Sequence, residues 1–187
     1  MRILAAPLLS LVLLSAPAFA QDVEVDVTTA RESVVGRWEG SLEYLDYSAN
    51  KWFGIPVKTR VEDQGDSATL IRTSDFDDGP KVGNVRITTV ELFDAKAGTV
   101  SLGTFRKGKP VSVQLYATRL DDASVDRLHW KIIGEATGLD DNRPALLRET
   151  TIRDGDGLET LKEVDYLDDD GQVWIIRNRT RLTRVQD

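Results

Sequence analysis

Clusters of turn-forming residues cut this chain into short pieces, and that punctuation constrains its fold more than any other feature. They fall at Gln64-Gly65-Asp66, Asp77-Asp78-Gly79-Pro80, Ala97-Gly98, Lys107-Gly108-Lys109-Pro110, Leu120-Asp121-Asp122, Leu139-Asp140-Asp141-Asn142, Asp154-Gly155-Asp156-Gly157 and Asp168-Asp169-Asp170-Gly171. Glycine supplies positive φ, and Asp and Asn bond back to the main chain, so each cluster is a turn with a mechanism. The pieces between them alternate with a period of two. Trp38, Gly40, Leu42 and Tyr44 share a parity, as do Ile55, Val57, Thr59 and Val61, then Val111, Val113, Leu115 and Ala117. Trp130 and Ile132 alternate with His129 and Lys131, and Leu158, Val164 and Tyr166 with Glu159, Glu163 and Asp165. Period two with one apolar face is the pattern of an antiparallel sheet.

About nine or ten strands of ordinary length fit the chain. Turns this short make sequential strands neighbours, which is a meander. So many twisted strands either close on themselves or split into two layers, and closure removes the exposed edges. The expected fold is therefore all-β, an up-and-down meander closed into a barrel, with a two-sheet sandwich as the alternative. One short helix is expected around Thr28 to Val35, capped by Thr28 or Thr29.

The first twenty residues read differently. Arg2 precedes an apolar run from Ile3 to Leu14, Ser15-Ala16-Pro17 breaks it, and Ala18-Phe19-Ala20 has the small-x-small form of a cleavage site. The run is too short for a helix spanning a bilayer, which needs about 20 apolar residues. The expected organisation is a signal peptide over residues 1–20, a lead-in over 21–35 and a single barrel domain over 36–187. The mature chain then begins at Gln21 and works in a periplasmic or extracellular space, with no stable membrane insertion. Losing Arg2 takes the net charge from −7 to −8, 23 basic residues against 31 acidic. An acidic chain of this kind does not attract nucleic acid by its long-range field. There is no cysteine, so core burial alone must hold the fold, and thiolate metal sites and cysteine nucleophiles are excluded.

Gly36-Arg37-Trp38, at the head of the first strand and just after the helical lead-in, resembles the G-x-W element of the calycin superfamily, the lipocalin-like barrels. The resemblance implies that Trp38 closes the barrel floor under an arginine of the last strand. That strand, expected over Val173 to Leu182, offers Arg177, Arg179 and Arg181, with Arg179 taken as the floor partner. The chain departs from the superfamily in lacking a T-D-Y motif and a helix after the last strand. Residues Tyr47 to Gly54 stand where fatty-acid-binding barrels have a helix-turn-helix, and the richer glycine pattern of nitrobindin-like haem barrels is missing.

Candidate chemistry is sparse. His129 is the only histidine, so a multi-histidine metal site is excluded, and its parity turns it outward. A calcium loop on Asp154, Asp156 and Glu163 would place Ile152 at its first ligand position, and one built on Gly171 would end on Arg177. The acidic clusters thus read as hairpin turns, and neither a metal nor a cofactor is expected. In the strands Ser67 to Asp75 and Ala145 to Arg153, Leu70, Arg72 and Ser74 share one parity and Leu146, Arg148, Thr150 and Ile152 another, and either set, if inward, places an arginine in the barrel. An inward arginine demands a carboxylate, such as Glu91 or Glu149, or a ligand anion, because a lone buried charge is costly. Trp52, Phe53 and Phe76 lie in the longest inter-strand stretches and are candidates for a mouth. The favoured expectation is an exported, non-enzymatic barrel that binds a small apolar or amphipathic molecule with Arg72, Arg148, Trp52, Phe53 and Phe76. An enzyme on the same scaffold, and a protein-interaction module with a filled interior, are the alternatives.

Overall fold

The computed structural model describes residues 25–186; the expected signal peptide lies outside the described residues. A single helix, α1 (Val27–Glu32), precedes ten strands: β1 (Gly36–Asp46), β2 (Lys51–Asp63), β3 (Thr69–Asp77), β4 (Asn84–Asp94), β5 (Thr99–Arg106), β6 (Ser112–Leu120), β7 (His129–Asp140), β8 (Arg143–Asp154), β9 (Gly157–Tyr166) and β10 (Ile175–Arg184). Each strand pairs antiparallel with its sequence neighbours, and β1 closes on β10, from Trp38 opposite Arg184 to Glu43 opposite Arg179. The sandwich alternative is thereby excluded. No helix among the described residues is long and apolar enough to cross a membrane.

The helix covers one end of the barrel, the floor. Its cap is Asp26, not Thr28 or Thr29: the Asp26 carboxylate accepts from the Thr29 amide at 2.7 Å. Below it lies the main core, with Trp38, Val57, Val61, Leu70, Trp130, Ile132, Leu158 and Leu182 packed against Ala30 and Val34 of the helical segment. The opposite end is the mouth, ringed by the turns that follow β1, β3, β5, β7 and β9.

Parity follows the sequence pattern on β1, β2, β7 and β9, and reverses on β6. Val113 and Leu115 stand outside, 73% and 55% exposed, while Gln114, Tyr116 and Thr118 turn inward. Register explains the reversal. Val100 pairs with Tyr116 and Leu102 with Gln114, and cross-strand partners face the same side of a sheet. Val100 and Leu102 line the interior, so their partners must join them. Apolarity alone points Val113 inward, but register overrides it. Accordingly Val113→Thr and Leu115→Thr should each change stability by no more than about 0.5 kcal/mol, whereas Val61→Ala, at a position 1% exposed, should cost roughly 1.5–3 kcal/mol. Urea denaturation of the three variants checks this directly.

Candidate functional site

The floor is a closed structural assembly. Trp38 is fully buried, and its indole N–H donates to the Val34 carbonyl at 2.8 Å. Two guanidinium groups flank its ring at 5.1 and 5.2 Å, those of Arg153 on β8 and Arg184 at the end of β10. Both also hold the carbonyls left open where α1 ends. Arg184 donates to Val35 at 2.7 Å and to Ser33 at 3.3 Å, and Arg153 donates to Ser33 as well. Gly36 is required here: its φ is +135°, and a Cβ would meet an Arg184 nitrogen at 2.8 Å. The arginine over Trp38 is thus a last-strand residue, but it is Arg184 and not Arg177, Arg179 or Arg181. The strand runs two residues beyond its expected end, and those two include the partner.

Arg179 lies on the outer face instead, near the mouth. Its guanidinium stacks 3.8 Å over Trp52 and binds Glu43 at 2.6 Å. Arg148 is also outside, stacked 3.9 Å over Trp174 and bonded to Glu163 at 2.9 Å, not to Glu149. Arg148 borders the mouth space but does not line the central space with Arg72, and Trp52 lines neither. Phe53 sits on the rim, 55% exposed, with its ring 5.5 Å from that of Tyr44. Phe76 lines the interior.

Arg72 is the candidate that does point into the barrel. Its Nε donates to Glu91 at 3.1 Å, and Arg31, reaching down from α1, donates to the other oxygen of that carboxylate at 3.3 Å. Burial opposes the ionisation of Glu91, but Arg72 and Arg31 outweigh it and hold the carboxyl below its ordinary range. Across the lumen Lys162 lies 3.1 Å from Glu149. The Glu149 charge holds the Lys162 ammonium above its usual pKa despite the partial loss of water. Around these charges stand Thr59, Ser74, Thr89, Thr104, Thr160, Thr180 and Asn178. A bulge between Ile176 and Asn178 sets the parity that brings Asn178 and Thr180 inside.

The interior is therefore open and belted with polar groups. A central space of about 300 Å³ runs from Phe76 and Leu182 to Lys162 and Asn178. A mouth space of about 540 Å³ shares Tyr44, Lys162, Asn178 and Glu149 with it. A smaller space of about 80 Å³ near the floor shares Arg72, Glu91, Leu102 and Glu149 with the centre. The three spaces adjoin one another along these shared walls. The wall of the central space is mixed: Leu42, Val57, Phe76, Ile87, Leu102 and Leu182 stand among the polar groups.

Lys162, Tyr116 and Asn178 were not read as interior residues from the sequence, and Glu149 was named only as a partner for an arginine. Lys162 left a legible sign, since it shares parity with Leu158 and Val164 and so interrupts an inward apolar row. His129 is outside, bonded to Asp126 at 3.0 Å. Among the described residues no group of three or more histidines or carboxylates is placed to hold a metal ion.

Fold and lumen together define a closed, ten-stranded up-and-down barrel with a helix-covered floor and an open mouth. A crystal structure of Rv2717c from M. tuberculosis is similar to it, with a TM-score of 0.56 and 16% sequence identity over 84% of this chain and 96% of that one. At that identity the likeness is one of fold. No family model matches the chain, and no curated protein matches it significantly.

Proposed function

We propose that this chain is an exported, calycin-like binding barrel that takes a small molecule with a polar head and a short apolar part into its lumen. The observation that carries the reading is the open interior, whose central and mouth spaces fall within the roughly 300–1,000 Å³ typical of ligand pockets. An interaction module with a filled interior has no use for such a space. The Tyr44–Phe53 pair on the rim suits the apolar part, and the belt suits the polar one. The reading is one of binding, with Glu91 ion-paired to two arginines and Glu149 beside Lys162. The leader at residues 1–20 supports export, and the G-x-W floor with its stacked arginine supports the calycin comparison.

Intact mass measurement under native and denaturing conditions tests this. The chain isolated from its own host should start at Gln21 and carry an added mass of a few hundred daltons that denaturation releases. A native mass equal to the denatured one, together with no uptake of an amphipathic fluorescent probe, would overturn the small-molecule reading.

A further inference from the structure

We infer that the head group selected by the lumen is a carboxylate carried on a hydroxylated framework, such as an acidic sugar, and not the acid end of an acyl chain. This rests on the small-molecule reading above and names the ligand class for that site. The barrel wall encloses the belt, so what its side chains expose, they expose to the lumen.

Charge comes first. Arg31, Arg72 and Lys162 face two carboxylates, Glu91 and Glu149, which leaves one excess positive charge in the lumen. Arg72 uses its Nε on Glu91, and its two terminal nitrogens make no hydrogen bond with the described residues, although its side chain is 24% exposed. Lys162 is 50% exposed on its side chain. Arg72 and Lys162 both line the central space. Two mutually repelling cations with unused donors, in an enclosed space, are relieved by an anion between them.

Hydrogen bonding then narrows the anion. Thr59 is bonded to Ser74 at 2.9 Å, and Thr151 to Thr160 at 3.3 Å. The side chains of Thr89, Thr104, Asn178 and Thr180 line the same space and make no hydrogen bond within the described protein. A methylene chain laid against these four would strip their water and return nothing. Hydroxyls would pair with them, because a threonine hydroxyl both donates and accepts, as does the asparagine amide. A neutral sugar would satisfy the hydroxyls and leave the positive charge unmet. A sugar acid meets both demands.

Three probes separate these cases: 4-methylumbelliferyl β-D-glucuronide, the matching glucoside, and dodecanoate, each titrated calorimetrically into the mature protein. The glucuronide should bind at least tenfold more tightly than either other probe. In Lys162→Gln and in Arg72→Met that preference over the glucoside should fall below threefold. Lys162→Gln stands apart from the Arg31–Glu91–Arg72 group, so it reads the site even where Arg72→Met fails to fold. Equal binding of the two glycosides, or tighter binding of dodecanoate, overturns this inference and leaves the small-molecule reading standing. A glucuronide preference that persists in a folded Lys162→Gln also overturns it. No binding of any probe, with no retained ligand by native mass, removes both.

Discussion

Trp38→Ala should lower the unfolding free energy by about 3–5 kcal/mol, the usual cost of truncating a fully buried large aromatic. The indole is at zero exposure and supports three things at once. It fills the floor beneath Ala30 and Val34, it donates to the Val34 carbonyl, and it gives Arg153 and Arg184 a face to lie on. Each such stack contributes roughly 0.5–2 kcal/mol, with the larger values where water is excluded. Truncation therefore leaves two guanidinium groups over a void while they still hold the end of α1. Trp38→Phe keeps the aromatic face and loses the N–H, so it should cost less, with the difference reporting the Val34 bond. Chemical denaturation followed through the remaining tryptophans gives both numbers. A midpoint unmoved by Trp38→Ala would show that the floor does not depend on its tryptophan.

The barrel was legible because its determinants are local. Turn residues with a mechanism separate strands whose alternation is clear on β1, β2, β7 and β9, and short turns admit one topology, the meander. What escaped was set by long-range pairing. Val113 and Leu115 look inward from their own strand, and only the register with Val100 and Leu102 turns them outward. The sequence offered Arg177, Arg179 and Arg181 as partners for Trp38, and the closing register sets Trp38 opposite Arg184, which lies beyond the expected end of that strand. Arg72 and Arg148 are a matched case: one faces the lumen and the other the outer surface, by parity relative to strands far away in sequence. The polar belt was hidden for a further reason. Threonine suits strands on either face, so Thr89, Thr104 and Thr180 carry no sign of direction until the sheet is closed.

Glu91→Gln should destabilise the protein by roughly 3–5 kcal/mol, the range expected when one member of a buried ion pair is removed. The carboxylate is 13% exposed on its side chain and stands between Arg31 at 8% and Arg72 at 24%. Arg31 ties the floor helix to β4 through this carboxylate and to the turn before β3 through the Ala68 carbonyl at 3.2 Å. Neutralising Glu91 leaves two guanidinium groups facing each other with the oxygen charge between them gone. Replacing all three residues by methionine should recover most of the loss, because burying hydrocarbon carries no charge-desolvation cost. The same group sets a pH dependence. The folded-state pKa of Glu91 is depressed, so the stabilisation it brings is fully present above the unfolded value, about 4.3, and is lost as pH falls through the folded value below that. The wild-type protein should therefore lose stability on its acid limb more steeply than Glu91→Gln, and the two curves should converge at the lowest pH. Denaturation midpoints measured from pH 6 down to pH 2 test this, and parallel curves would show that Glu91 is not the carboxylate that ties the floor to the wall.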